Sequence, residues 1–223
     1  MILCIADILT SDELADIRKT LDHASFASGE KTAGWAAREV KRNLQLEADK
    51  PVRDHLQALI TDALARSELF ALAAGPKTIS PILFSRYETG MGYGDHVDNA
   101  VMSGKPSIRS DLSFTIFLSD PADYDGGELS IEDMQGTQSF KLSPGAMLLY
   151  PSTSLHRVET VTRGVRSVAV GWVQSLIRSA EHRQMLFDLE TVRREMFLRD
   201  GKTASFDTLS KTVSNLWRLW VDL

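Results

Sequence analysis

Cys4 is the only cysteine in this chain of 223 residues. One thiol can neither close an intramolecular disulfide nor form the paired-cysteine pattern of a structural zinc site. Its expected place is as a small buried side chain in a first strand. No stretch approaches the roughly 18 apolar residues that a membrane span requires. The opening MILCIADILTSDEL lacks the basic start of a secretory signal, and acidic residues arrive by Asp7. There is no internal repeat, no low-complexity tract, no Gly-rich phosphate loop and no Ser-His-Asp arrangement. The net charge of -5 gives no global attraction to nucleic acid or to an anionic membrane, so neither is expected as a partner. From these absences a soluble, cytoplasmic protein is expected.

What is present is an ordinary globular composition, 43% hydrophobic and 25% charged. A chain of this size buries a sizeable core without help, so a bound metal would serve chemistry rather than folding. Residues 1–9 alternate weakly, as a strand does. Thr10 or Ser11 can cap a helix carrying Leu14, Ile17 and Leu21 on one face. A strand is expected near Glu39–Leu46. A second helix follows Pro51, with Val52, Leu56, Leu59, Ile60 and Leu64 on one side.

From Lys77 the texture changes to short β-rich runs, ISPILFSRYE, SDLSFTIFLSD, GELSIED, GTQSFKLSPG, AMLLYPS and VRSVAVGWVQS, separated by turn signals. This pattern predicts an antiparallel sandwich or barrel. After Gln174, residues 175–199 and 205–221 read as helices. Trp217 and Trp220 are a large apolar load near a chain end, which fits equally a helix packed on the barrel and a homodimer contact through the C-terminal helices.

His96-Val97-Asp98 is the first chemical signal. At i and i+2 on a strand, an imidazole and a carboxylate share a face. With a second histidine they make the facial triad of non-haem Fe(II) oxygenases, which leaves coordination positions open. His156, sixty residues after His96, is the candidate third ligand. The gap accommodates three to four strands, so a barrel can return the chain; taken alone, His156 also reads as a polar loop residue. Arg166 lies inside the apolar run VRSVAVGWV, where a guanidinium needs an anion partner if buried and suits a carboxylate. Trp172 falls on the same strand face. Asp95, Asn99 and Arg86 should point away from the site. Residues 99–110 form a polar loop beside the triad and read either as a substrate lid or as a surface loop. His23, His55 and His182 sit among charged helical residues and read as surface groups.

The order His-x-Asp, distant His, then Arg ten residues on resembles the iron- and 2-oxoglutarate-dependent dioxygenases of the prolyl/lysyl hydroxylase type. It is most similar to the bacterial PKHD-type hydroxylases. The resemblance is carried by FSRYETGMGYGDHVDNA (84–100), RSDLSFTIFLSDPADYDGGEL (109–129), KLSPGAMLLYPSTSLHRVETVTRGVRSVAVGWVQS (141–175) and LFDLETVRRE (186–195). It implies a mainly β (α+β) fold, a double-stranded β-helix (jelly-roll) core with N-terminal helices and a helical C-terminal extension. The expected division is a dioxygenase domain over 1–175, with its core at about 77–174, and an extension over 176–223. By the same resemblance His96, Asp98 and His156 hold Fe(II), Arg166 pairs with the distal carboxylate of 2-oxoglutarate, and Tyr87 hydrogen-bonds that co-substrate. The implied cofactors are Fe(II), 2-oxoglutarate and L-ascorbate (vitamin C). The implied reaction consumes O2 and hydroxylates a C–H bond of an amino-acid, peptidyl or small-metabolite substrate, releasing succinate and CO2. The competing reading is a cupin-like barrel that binds or senses a metal without turnover; a buried Arg166 argues against it, because such a sensor needs no carboxylate clamp.

Overall fold

The computed structural model of the protein describes residues 1–32, 34–103, 107–134 and 136–223. Five helices flank the strands: α1 (Ser11–Asp22), α2 (Lys50–Arg66), α3 (Glu68–Ala74), α4 (Ala180–Asp200) and α5 (Ala204–Trp220). The N-terminal strands are β1 (Leu3–Ile5), β2 (Ser25–Ser28), β3 (Lys41–Arg42) and β4 (Leu44–Glu47). Next come β5 (Pro76–Ile79), β6 (Leu83–Glu88), β7 (Gly92–His96), β8 (Val101–Met102) and β9 (Ile108–Arg109). The last six are β10 (Leu112–Phe117), β11 (Leu129–Asp133), β12 (Gly136–Phe140), β13 (Met147–Pro151), β14 (His156–Val158) and β15 (Val165–Ser175).

The strands form two main antiparallel sheets. The larger runs β1-β13-β10-β15-β6-β4-β2, with β5 also paired to β15; the smaller runs β12-β11-β14-β7-β3. Strand β10 is buried along its whole length because both its faces are covered. Phe114 and Ile116 join a core with Ile17 and Leu21 of α1, Leu56 and Ile60 of α2 and Phe70 of α3. Across the sheet, Phe117 packs with Leu129, Ile131, Val158 and Val168 between the two sheets. The expected jelly-roll architecture is present, and strands before residue 77 complete it at β1, β2, β3 and β4.

The helix starts follow from capping. Thr10 and Glu13 form a reciprocal box at α1, and Asp49, Ser67, Ser179 and Thr203 each accept a backbone N–H at the start of α2, α3, α4 and α5. The short α3 follows α2 directly, in a stretch the sequence pattern leaves unassigned; Gly75 ends it in the left-handed region at φ 48°.

Three expectations are corrected here. Cys4 does sit in β1 but is exposed, because the strand alternates and Ile5 takes the core side. The Glu39–Leu46 strand begins as a 3-10 turn over Ala37–Val40 and is then split into β3 and β4 around Asn43. Residues 99–110 are not simply a loop, since β8 and β9 pair as a hairpin; positions 104–106 at its tip lie outside the described residues.

Trp217 and Trp220 pack within the chain, in a cluster with Ile177, Leu186 and Val213 between α4, α5 and the end of the barrel. Trp220 stacks on His182 at 4.0 Å. Leu219 and Leu223 stay exposed at the same end of the chain. No helix among the described residues is long and apolar enough to cross a membrane.

Candidate metal and co-substrate site

Strand register brings the two histidines together. His96 ends β7, His156 begins β14, and the two are direct partners in the antiparallel ladder. Their rings lie 4.2 Å apart, centroid to centroid. Each Nδ1 faces a carbonyl two residues back, Gly94 O at 2.8 Å and Ser154 O at 3.0 Å. A carbonyl only accepts, so Nδ1 bears the hydrogen in both rings and each Nε2 lone pair is free for a metal. Burial, and then the neighbouring His156, push the pKa of His96 below the usual histidine range, which favours the neutral ligand form.

Asp98 was expected on the same strand as His96. The strand instead stops at His96, and the chain beyond it carries Asp98 back toward the larger sheet. There Ser113 on β10 donates to Asp98 Oδ2 at 2.6 Å, and Ser113 is itself bonded to Ser152 at 2.8 Å. Asp98 Oδ2 is 3.9 Å from His156 Nε2. One ligand atom from each of His96, Asp98 and His156 lies within 4.8 Å of the others. Two imidazoles and a carboxylate at this spacing can hold a first-row divalent metal while leaving one side open.

Arg166 occupies the other end of the site. It pairs with Tyr87 across β15 and β6 and is 1% exposed. Its guanidinium lies 5.1 Å from the Tyr87 ring and 5.6 Å from the Phe117 ring. Nε and Nη1 are buried with no hydrogen-bond partner among the described residues. Such orphaned, charged donors cost several kcal/mol, roughly, unless an anion meets them. Burial raises the pKa of Tyr87, with Arg166 pulling the other way, so the phenol stays protonated. The Asn43 amide also approaches that hydroxyl and pulls its pKa down, yet both polar atoms of Asn43 remain without a bond of proper geometry.

His96, Asp98, His156, Arg166 and Tyr87 all line one cavity of about 790 Å³, part of it open to solvent. The five residues singled out in the sequence are thus brought together. Trp172 shares the face of Arg166 as expected and walls the cavity, with its Nε1 buried and unpartnered among the described residues. Asp95 points out to Arg157 at 3.4 Å, and Arg86 faces Phe26 on the other side of its sheet. Asn99, expected to point away, lines the cavity.

Sequence reasoning missed three contributors. Lys41 and Asn43 are 6% and 4% exposed and line the cavity from β3 and the residue after it. The alternation Lys41-x-Asn43-x-Gln45 was the available signal for one polar, inward strand face. Gly127 has φ +69°, and a Cβ there would sit 2.9 Å from Arg166 Cδ. It makes the room in which the arginine side chain lies.

The 2OG-Fe(II) oxygenase superfamily model matches residues 82–174, the segment from β6 to β15. A PKHD-type hydroxylase of Crocosphaera subtropica is 54% identical over 222 residues, covering 100% of both chains. A PKHD-type hydroxylase of a Synechococcus species is 51% identical over 224 residues, again covering 100% of both. Among solved structures, the Trichoplax adhaerens prolyl hydroxylase in complex with a hypoxia inducible factor peptide fragment superposes with a TM-score of 0.57. It shares 13% identity and covers 83% of this chain and 86% of its own. A Pseudomonas putida prolyl-4-hydroxylase gives a TM-score of 0.52 at 17% identity, covering 78% and 92%. At such identities these two speak to the fold, which is that of the 2OG-Fe(II) oxygenases. The metal-capable triad, the shared fold and the full-length identity to curated relatives lead to one conclusion: the chain belongs to the PKHD-type hydroxylases and is a 2-oxoglutarate-dependent dioxygenase.

Proposed function

We propose that His96, Asp98 and His156 hold Fe(II), that Arg166 clamps the distal carboxylate of 2-oxoglutarate, and that Tyr87 hydrogen-bonds the same co-substrate. The reaction joins one oxygen atom of O2 to a C–H carbon of the substrate and the other to succinate, as 2-oxoglutarate loses CO2. The substrate class is an amino acid, a peptidyl residue or a small metabolite. Iron and 2-oxoglutarate supply the oxidising chemistry when bound; the protein supplies ligands, orientation and a water-poor cavity.

One observation carries this reading: a fully buried arginine with unpartnered Nε and Nη1 shares a cavity with two histidines and an aspartate of metal-binding geometry. A planar guanidinium fits a carboxylate through two parallel N–H bonds. Val168 and Val170 continue the inward face of β15 between Arg166 and Trp172, giving the chain of a bound diacid an apolar wall and excluding water. The Nδ1 hydrogens on Gly94 O and Ser154 O keep both imidazoles turned with Nε2 inward. Ser113 occupies one oxygen of Asp98 and leaves the other for the metal.

In the same reading residues 1–175 are the catalytic unit and 176–223 an extension buttressing β15, and the protein works in the cytoplasm. L-ascorbate is an accessory reductant. The described part of the 99–110 segment acts as a substrate lid, with Met102 at the cavity wall. The exposed Leu219 and Leu223 offer a surface for a homodimer. The test is an anaerobic titration of metal-free protein with Fe(II) and then 2-oxoglutarate. A visible metal-to-ligand charge-transfer band should appear, and Arg166→Ala should lose it at moderate co-substrate. Iron binding with no band at any concentration would sink the co-substrate assignment.

A further inference from the structure

Lys41 is a second buried cation in the cavity, and neither the metal nor the co-substrate has a use for it. It is 6% exposed, on a two-residue strand paired through Tyr93 to β7. Its Nζ donates to Thr32 Oγ1 at 2.8 Å and lies 5.2 Å from the Tyr93 ring centroid. The same Tyr93 ring stacks on His96 at 3.5 Å, so Lys41 stands on the metal's side of the cavity. It has no ion-pair partner among the described residues. Burial lowers its pKa to about 8 against the pull of Asp98, the behaviour of a cation short of an anion.

Among the described residues lining the cavity, the charged ones are Lys41, Asp98 and Arg166. Once loaded, Fe(II) cancels the two carboxylates of 2-oxoglutarate and Asp98 cancels Arg166, which leaves the Lys41 ammonium over. A buried, uncompensated charge is costly, so the last occupant of the cavity should bring one negative charge. Asn43, two residues on and turned the same way, adds a buried amide whose donor and acceptor both lack partners.

We propose that Lys41, assisted by Asn43, binds a carboxylate of the primary substrate, so that the part of the hydroxylated molecule that enters the cavity carries a carboxylate. This rests on the iron and 2-oxoglutarate reading above and narrows its substrate class. Lys41 thereby sets specificity and takes no part in holding the metal.

The test uses the anaerobic holoenzyme with Fe(II) and saturating 2-oxoglutarate, titrated calorimetrically with acetate and propionate and, in parallel, with acetamide and propionamide. The carboxylates should bind saturably, at least about tenfold more tightly than the amides, a gap of about 1.4 kcal/mol. Lys41→Met should remove that preference and Lys41→Arg should keep much of it. The charge-transfer band should report the same 2-oxoglutarate affinity in wild type and Lys41→Met, within about twofold, and thermal melts check that both variants fold. The proposal is overturned if carboxylate and amide bind alike or neither binds, if Lys41→Met retains the preference, or if it weakens 2-oxoglutarate itself about tenfold. Absence of the band in wild type is a different failure, that of the co-substrate reading, and the calorimetric preference is read independently of it.

Discussion

The two ends of the cavity are built on different terms. At the metal end, every side chain that would meet the ion is already held by the protein: His96 by Gly94 O, His156 by Ser154 O and Asp98 by Ser113. At the opposite end, Arg166 is held chiefly by packing, between aromatic rings and beside the Tyr124 hydroxyl, with two of its nitrogens unanswered. A metal's ligands must be aimed before the ion arrives, because coordination tolerates little error. A carboxylate, by contrast, brings its own acceptors, so the donors that receive it are left open. The preorganised end should therefore fail through loss of geometry and the open end through loss of a single charge.

The largest expected effect breaks the metal end. His96→Ala should abolish Fe(II) binding, measured by anaerobic calorimetry, and turnover with it; full retention of affinity would remove His96 from the ligand set. Next, Arg166→Ala should leave metal binding in place and weaken 2-oxoglutarate by on the order of 2–5 kcal/mol, the usual cost of removing one partner of a buried charged pair. Equal loss of metal and co-substrate affinity in that variant would erase the contrast between the two ends.

A smaller effect sharpens the account of Asp98. Ser113→Ala should lower metal affinity about 10- to 100-fold, as loss of an outer hydrogen bond to a ligand commonly does, and Ser113→Thr should recover part of it. The d–d spectrum of the Co(II)-substituted protein would separate a reoriented carboxylate from a general loss of fold. The smallest is Gly127→Ala, which forces a side chain into left-handed backbone against Arg166. It should cost about 1–2 kcal/mol in urea unfolding and weaken 2-oxoglutarate more than the metal.

Much of this was legible from residue order. His-x-Asp, His and Arg pointed to the site because donor chemistry restricts which side chains can serve, and the β-rich runs between them supplied strands to bring them together. The detail of Asp98 was not legible: period-two alternation placed it beside His96 on a strand, but β7 ends first, and a hydrogen bond from a strand of the other sheet aims the carboxylate. Cys4 was misplaced for a related reason, since alternation says only that neighbours face opposite ways and β1 could have been turned either way. Trp217 and Trp220 fitted equally a packed helix and a dimer contact in the sequence, and the folding of α5 back on α4 and Ile177 packs them within the chain.

By itself the sequence determined what is local: the capped start of α1 at Thr10, the strand alternation, and the kinds of donor available for a metal and an anion. Only the tertiary structure decided what is non-local. The β7–β14 register sets His96 against His156, close packing around β15 leaves two Arg166 nitrogens without partners, and the pairing of β3 with β7 places Lys41 beside Tyr93 at the metal end. Caps and alternation act over a few residues and are written in the adjacent letters. Register and burial arise from contacts between segments far apart in the chain, where many pairings suit the same pattern and the packing of the whole selects one.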